Sequence, residues 1–244
     1  MQIKTRAIVL HTLKYGDSKL IVDLLTSCRG RISCILRIST SSKSRLKKQY
    51  FQPLFILDIV IDERPKSNLQ HIKEAHVAEP FTSILFEPYK LSTALFIAEF
   101  IRGIAHNEDT DEITFNYIEN SILWLDGCNK PTANFHLVFM MRMSRFLGFY
   151  PNVSNYEAGC FFDMRSGNFC KSAPLHHDWL APEEAMHIRT MLRMNYPTMH
   201  LFKMSRTERN HLLDIIMDYY HIHIPSLTEI KSIDVLKELF NTID

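Results

Sequence analysis

The residues with the clearest chemical potential are the cations crowded into the first fifty positions. Residues 1–50 hold eleven Lys or Arg against two acidic residues, a local charge of +9 in a chain of 244 residues whose formal net charge is +1. Clustered ammonium and guanidinium groups attract polyanions such as nucleic acid, although membrane surfaces and acidic proteins attract them too. The charge asymmetry therefore predicts a polyanion-binding module joined to a second part of different character.

Thiols and imidazoles form a second set of chemically capable groups. Cys160 and Cys170 precede His176 and His177, and two thiolates with two imidazoles could in principle hold zinc tetrahedrally. Structural zinc sites usually present C-x2–4-C knuckles, which this stretch lacks, so we expect no metal. The five cysteines are an odd count with irregular spacing, which argues against a disulfide framework and favours a cytoplasmic protein.

Catalytic constellations are missing from the sequence. It contains no G-x-S-x-G, HExxH, GxGxxG or GxxxxGK[ST] pattern, and only 7 glycines are available for phosphate-cradling loops. The dense group His176-His177-Asp178 follows Pro174 and is more typical of a loop or a helix cap. The sequence therefore predicts no enzyme and no cofactor.

The elements that must position these residues change in period near residue 80. Strand patterns cover 7–13, 20–26, 32–38, 55–61 and 69–75, and helical stripes cover 89–104, 113–125, 134–147, 183–194, 207–220 and 226–240. This order predicts an α+β, multidomain protein: a small barrel or sandwich over 1–80 and a docked α-helical domain over 81–244. No apolar run could span a membrane, and the first residues do not resemble a signal peptide.

Short motifs in a fixed order carry a resemblance to a known family. They include Ala7-Ile8-Val9-Leu10, Tyr15-Gly16-Asp17-Ser18, Ser44-Arg45-Leu46 with Gln52-Pro53-Leu54, and Leu147-Gly148-Phe149-Tyr150-Pro151. In combination they resemble the RecO family of bacterial recombination mediators across nearly the whole chain. The resemblance implies an N-terminal OB-fold β-barrel packed on a C-terminal helical domain.

The sequence departs from this family in the segment 151–180. Many members carry two Cys-x-x-Cys knuckles there, and the matching positions here are Asn155, Ala158, Cys170 and Ala173. One thiol of four cannot hold zinc tetrahedrally. We therefore expect a degenerate zinc-finger region that is held by apolar packing of its phenylalanines.

The resemblance also implies a non-enzymatic DNA-repair function. Such proteins bind single- and double-stranded DNA, anneal complementary strands, and work with RecR to load RecA onto strands coated by single-stranded DNA-binding protein. Tyr15 is the stacking candidate, with Tyr50 next, and Phe51 is equally consistent with stacking or with the core. The candidate phosphate-binding cations are Arg29, Arg31, Arg37, Lys43, Arg45, Lys47 and Lys48.

A partner site is implied on the helical domain. RecO proteins bind the acidic, phenylalanine-ended tail of single-stranded DNA-binding protein, and Arg142 and Arg145 beside a methionine-rich stretch are the candidates here. The alternative is an adaptor whose basic face recognises acidic protein tails and does not bind DNA. Steeply salt-dependent binding to naked oligonucleotides would distinguish the two.

Overall fold

The computed structural model describes residues 2–38, 46–64, 67–105 and 111–239, and the chain divides into two compact units. Unit 1 comprises Met1–Gly127 with Glu229–Leu236, and unit 2 comprises Cys128–Thr228 with Lys237–Asp244. The boundary expected near residue 80 stays a prediction, because it separates strands from helices and not one compact unit from the other. Among the described helices, none is long and apolar enough to cross a bilayer.

Unit 1 begins with a closed barrel in the strand order β1-β2-β3-β5-β4. Its strands are β1 (Gln2–Tyr15), β2 (Lys19–Thr26), β3 (Gly30–Arg37), β4 (Ile56–Asp62) and β5 (Leu69–Glu79). The first half of β1 pairs with β4 and the second half with β2. The β3–β5 pair is parallel, and the other pairs are antiparallel. The OB-like barrel predicted from the sequence is confirmed.

Alternate side chains along the strands point into the barrel and fill its core. On β2, Leu20, Val22 and Leu24 are almost fully buried. The register between β1 and β2 shifts between Val9 and His11. Such a bulge bends a strand, which lets one long strand serve two partners in a closed sheet.

Two helices follow the barrel in unit 1, α1 (Pro88–Ile104) and α2 (Glu112–Gly127). The Asp126 carboxylate near the end of α2 accepts backbone N–H bonds from Thr82, Ser83 and Ile84 at 2.8–2.9 Å. Burial alone would raise the pKa of Asp126, but these bonds outweigh it and hold the pKa below its ordinary value. The connection from the barrel to α1 is thereby fixed to α2.

Unit 2 combines helices with a small sheet that the sequence did not predict. The helices are α3 (Phe135–Phe146), α4 (Pro182–Arg193) and α5 (Arg206–His223), and α6 (Ser232–Leu239) follows them in the chain. The strands β6 (Phe161–Asp163), β7 (Asn168–Cys170) and β8 (Trp179–Leu180) form a sheet in the order β7-β6-β8. Strands of two or three residues are too short to show a period of two, so the pattern gave no signal.

The helix predicted over 226–240 begins later, at Ser232. Glu99 on α1 determines this start, because its carboxylate accepts N–H bonds from Lys231 at 3.1 Å and from Ser232 at 2.8 Å. A carboxylate from a distant part of the chain thus accepts hydrogen bonds from backbone N–H groups that have no partner within the helix. Leu227 and Ile230, which looked like helix positions, are buried in the irregular segment before it.

Candidate nucleic-acid interface

An aromatic ring and two cations form a row across three strands at one end of the barrel. Tyr15 on β1 pairs with Lys19 on β2, and Lys19 pairs with Arg37 on β3. Directly opposed residues of an antiparallel sheet project from the same face, and all three side chains are exposed. Within the described part of the chain, neither Lys19 nor Arg37 has an ion-pair partner. We call these three residues the hairpin row.

An apolar row lies next to the hairpin row on the same face. Leu13, Ile21 and Ile35 oppose one another in register, two residues further along each strand. Leu13 is 53% exposed and Tyr15 is 55% exposed. Apolar and aromatic side chains beside unpaired cations can contact bases and phosphates of one strand at the same time.

Beyond the apolar row, the charge on this face is internally compensated. Asp23 on β2 accepts hydrogen bonds from Ser33 Oγ and Arg102 Nε, each at 2.7 Å. Burial would raise the pKa of Asp23, but these bonds and the charges of Arg102 and Arg31 hold it below its ordinary value. Burial and then the Arg102 charge lower the pKa of His11 opposite, which disfavours the charged form of this imidazole. Free positive charge on this face is therefore concentrated at the hairpin end.

The predicted cations Arg29 and Arg31 lie at the other end of β3 from Arg37. An extended strand rises about 3.3 Å per residue, which separates Arg31 and Arg37 by about 20 Å. Arg31 Nη1 donates to the Arg102 carbonyl at 2.9 Å, and Arg29 Nη2 lies 2.5 Å from Glu63 Oε1. The structure therefore does not bring these two arginines together with Arg37, and their contact with DNA stays a prediction.

Lys47 and Lys48 lie on the connection between β3 and β4, which docks against the second half of β1. Thr12 Oγ1 donates to the Phe51 carbonyl at 2.6 Å, and Lys47 Nζ lies 5.9 Å from the centre of the Tyr50 ring. Phe51 itself is 2% exposed, so it belongs to the core and is not available for stacking. The two remaining predicted cations, Lys43 and Arg45, lie outside the described residues.

Sequence reasoning missed Lys14 and Lys19, which flank the turn between β1 and β2. Lys14 projects from the opposite face to Tyr15, so both faces of this hairpin end carry positive charge. Gly16 supplies the positive φ of +67° that the turn uses. The signal was available, because a Tyr-Gly-Asp-Ser turn between two apolar runs predicts a hairpin that pairs Tyr15 with Lys19.

The predicted partner-site arginines lie on the exposed side of α3. Arg142 Cζ is 5.7 Å from the centre of the Tyr196 ring, and Arg145 Cζ is 5.9 Å from the centre of the Tyr150 ring. The neighbouring methionines, Met140, Met141 and Met143, are buried in the core. The apolar surface beside these arginines is therefore provided by tyrosines and not by methionines.

The cysteine-containing segment does not offer a tetrahedral metal site. Cys160 is buried before β6, while His176 Nε2 lies 3.3 Å from Asp163 Oδ1 and His176 Nδ1 accepts the Asp178 N–H. In the described ranges, no three His, Cys, Asp or Glu side chains are grouped so that they could hold a metal ion. With a single knuckle cysteine at Cys170, the donor set does not fit the zinc of the wider family.

Aromatic packing connects this segment to its surroundings. The Phe162 ring lies 4.9 Å from Phe169 and 5.8 Å from Tyr219 on α5, measured between centroids. Tyr219 Oη donates to the Phe149 carbonyl at 2.6 Å. A Cβ at Gly167 would lie 2.7 Å from Tyr219 Oη, so the turn between β6 and β7 approaches α5 too closely for any side chain.

A closed five-stranded barrel with a cationic hairpin end, followed by helices, defines a class: an oligonucleotide-binding-fold protein with a helical extension. Two family models match the chain, "Recombination protein O N terminal" over residues 1–81 and "Recombination protein O C terminal" over residues 85–232. The chain belongs to the RecO family of DNA repair proteins.

Relatives of similar length carry the same name. The chain is 50% identical over 238 residues to the DNA repair protein RecO of Phocaeicola vulgatus, covering 98% of this chain and 99% of that protein. It is 48% identical over 239 residues to the RecO protein of Bacteroides fragilis, with 98% and 99% covered. The RecO protein of Flavobacterium psychrophilum is 37% identical over 243 residues, with 99% and 100% covered.

Proposed function

We propose that this chain is a non-enzymatic recombination mediator that binds single- and double-stranded DNA and anneals complementary strands. In this proposal it also works with RecR to load RecA onto strands coated by single-stranded DNA-binding protein. The observation that carries the DNA-binding part is the hairpin row, in which an exposed tyrosine and two cations, without an ion-pair partner among the described residues, share one face of an OB-like barrel. The DNA-repair name of the relatives supports the same conclusion.

Each part of the row has a distinct task in binding a single strand. Lys19 and Arg37 neutralise phosphates and release condensed counterions, which drives association without regard to sequence. Tyr15 and the exposed Leu13 offer their surfaces to unpaired bases. Neutralised phosphates repel a second strand less, so a strand held in this way anneals faster with its complement.

The test is a salt series of fluorescence anisotropy on the double variant Lys19→Glu/Arg37→Glu. We expect its affinity for single strands and duplex to fall at least ten-fold, with a slope of log K against log salt that is shallower by about one to two units. The matched control is Lys4→Glu/Lys73→Glu, which reverses two exposed cations elsewhere on the same barrel. If both variants bind like the parent, the adaptor interpretation replaces the proposal.

A protein partner is proposed for unit 2. Arg142 and Arg145 are exposed, one helical turn apart on α3, and each lies near a tyrosine ring. Guanidinium groups beside aromatic surface suit the carboxylates and the phenyl group of the acidic tail of single-stranded DNA-binding protein.

A further inference from the structure

A third arginine–tyrosine pair joins Arg189 on α4 to Tyr156, which precedes β6 in the chain. Arg189 Cζ is 4.5 Å from the centre of the Tyr156 ring, closer than the two arginine–tyrosine pairs involving α3. Arg189 is exposed and has no carboxylate partner in the described part of the chain. Other arginines of unit 2 are engaged: Arg165 pairs with Asp178, and Arg209 donates to the Met204 carbonyl.

Arg189 belongs to a row of exposed residues on α4. Met186, Arg189 and Arg193 are spaced by three and four residues, which places them on one side of the helix, and all three are exposed. Met186 is 51% exposed. We call these three residues, with Tyr156, the α4 surface.

Two of the neighbouring acidic groups lie close to partners. Glu157, next to Tyr156, lies 3.0 Å from Lys171 Nζ, and Glu184 Oε1 lies 3.3 Å from His211 Nε2. Glu183 stands in the first turn of α4, where a negative charge complements the helix dipole. Within the described residues neither Arg189 nor Arg193 has a carboxylate partner, and these two arginines supply the positive charge of the α4 surface.

The chemistry of this surface fits a nucleic-acid strand. A guanidinium lying on an aromatic ring keeps its N–H edge free for bidentate contact with a phosphate. Arg189 and Arg193 are one helical turn apart, about 6 Å, which is comparable to the distance between successive phosphates of an extended strand. The exposed Met186 and the half-buried Tyr156 offer apolar surface to bases, whereas a peptide with an apolar end would need a pocket.

Annealing requires two strands in one complex, and the hairpin row is the proposed binding site for one of them. We propose that the α4 surface is a second nucleic-acid site, which holds the other single strand while complementary strands pair. This inference rests on the proposed function. The two sites lie in different compact units, so their contributions can be separated by mutation.

The experiment compares Arg189→Glu/Arg193→Glu with the control Lys130→Glu/Lys203→Glu, which reverses two other exposed cations of unit 2. Full-length proteins are assayed for affinity to one oligonucleotide and for the annealing rate of two complementary labelled oligonucleotides. We expect the α4 variant to bind a single strand within two-fold of the parent and to anneal at least ten-fold more slowly. The control should match the parent in both assays.

The outcomes separate this inference from the proposed function. An α4 variant that folds normally and anneals like the parent overturns the second site, whatever the barrel variant does. Loss of tail-peptide binding with intact annealing overturns it too, because the surface would then bind protein. Failure of Lys19→Glu/Arg37→Glu to weaken DNA binding contradicts the proposed function instead. Arg189→Gln/Arg193→Gln, with a thermal melt, repeats the test if the charge reversal disturbs folding.

Discussion

Lys19 lies directly opposite Arg37 across the β2–β3 ladder. Like charges in directly opposed positions destabilise a sheet, and within the described residues neither cation has an acidic partner. A phosphate placed between them would relieve this repulsion. The free barrel therefore carries a small unfavourable term that binding a polyanion removes.

The cations that follow β3 should strengthen DNA binding without supporting the fold. We expect Lys43→Glu, Arg45→Glu, Lys47→Glu and Lys48→Glu together to weaken single-strand and duplex binding with little sequence bias. The salt slope should become shallower by about one unit for each lost phosphate contact, and annealing should slow in parallel. Anisotropy and a strand-annealing assay measure this, with a thermal melt as the folding control. A well-folded variant that behaves like the parent would place the DNA elsewhere.

The exposed apolar side chains of the barrel should distinguish single strands from duplex. Stacking of a base on an aromatic side chain contributes about 1–3 kcal/mol, so Tyr15→Ala should lower single-strand affinity at least five-fold. Leu13→Ala should have a smaller effect in the same direction. Duplex affinity should change less than two-fold, because paired bases are already stacked. The matched control is Leu95→Ala on α1, another exposed leucine, and an equal loss for both DNA forms would contradict the stacking role.

The purified protein should contain no stoichiometric zinc. Asn155, Ala158 and Ala173 stand where the family's knuckle cysteines would be, and aromatic packing connects the segment to α5. Elemental analysis after purification without chelators measures the metal content, and treatment with a chelator should leave the melting temperature unchanged. About one zinc per chain would overturn this prediction.

Buried His136 should make the protein less stable in mild acid. Burial and then the Arg209 charge lower its pKa to about 3 from 6.5. Below pH 6.5 the His136 imidazole therefore binds a proton in the unfolded chain but stays neutral in the folded chain. The stability that neutral His136 provides is fully present above pH 6.5 and is lost towards pH 3, by about 2 kcal/mol between pH 7 and pH 5.

Urea unfolding of the parent and of His136→Leu across this pH range measures the contribution. The variant should be less stable at pH 7, because the side chain is fully packed, and its stability should depend less steeply on pH. Identical pH slopes for the two proteins would show that His136 is not the group responsible.

The α3 arginines should govern binding of the acidic tail and not of DNA. We expect Arg142→Glu/Arg145→Glu to lower the affinity for a tail peptide at least ten-fold, measured by anisotropy of the labelled peptide. Arg165→Glu is a useful comparison, since Arg165 is exposed but already paired with Asp178. Unchanged peptide affinity in the double variant removes these residues from the proposed site.

The sequence predicted all five barrel strands, because each has enough apolar and β-branched residues to give a strand pattern, although the predicted range 7–13 covers only about half of β1. It did not predict which cations meet, since Tyr15, Lys19 and Arg37 come together only through the pairing register of three strands. Seven predicted cations formed one set along the chain, yet Arg31 and Arg37 face different surroundings at opposite ends of β3. The sequence shows how many cations the first fifty residues carry, whereas the pairing register of the strands determines which of them lie together.

The helical part shows a second limit. Periodicity identified α3, α4 and α5 to within a few residues, but the start of α6 depends on Glu99, more than a hundred residues away. The sheet of β6, β7 and β8 consists of strands of two or three residues. Such features are specified by tertiary contacts, which a local pattern does not contain.

The parallel pairing of β3 with β5 gives the barrel a seam. In the described ranges, the two strands share three residue pairs, from Ser33↔Leu69 to Ile35↔His71, whereas β2 and β3 share eight. Short pairing between distant segments forms late in folding and opens first in the native state. Amide hydrogens along this seam should therefore exchange with solvent faster than those of the β2–β3 ladder. The β3–β5 pair can open locally while the hairpin end of the barrel remains folded.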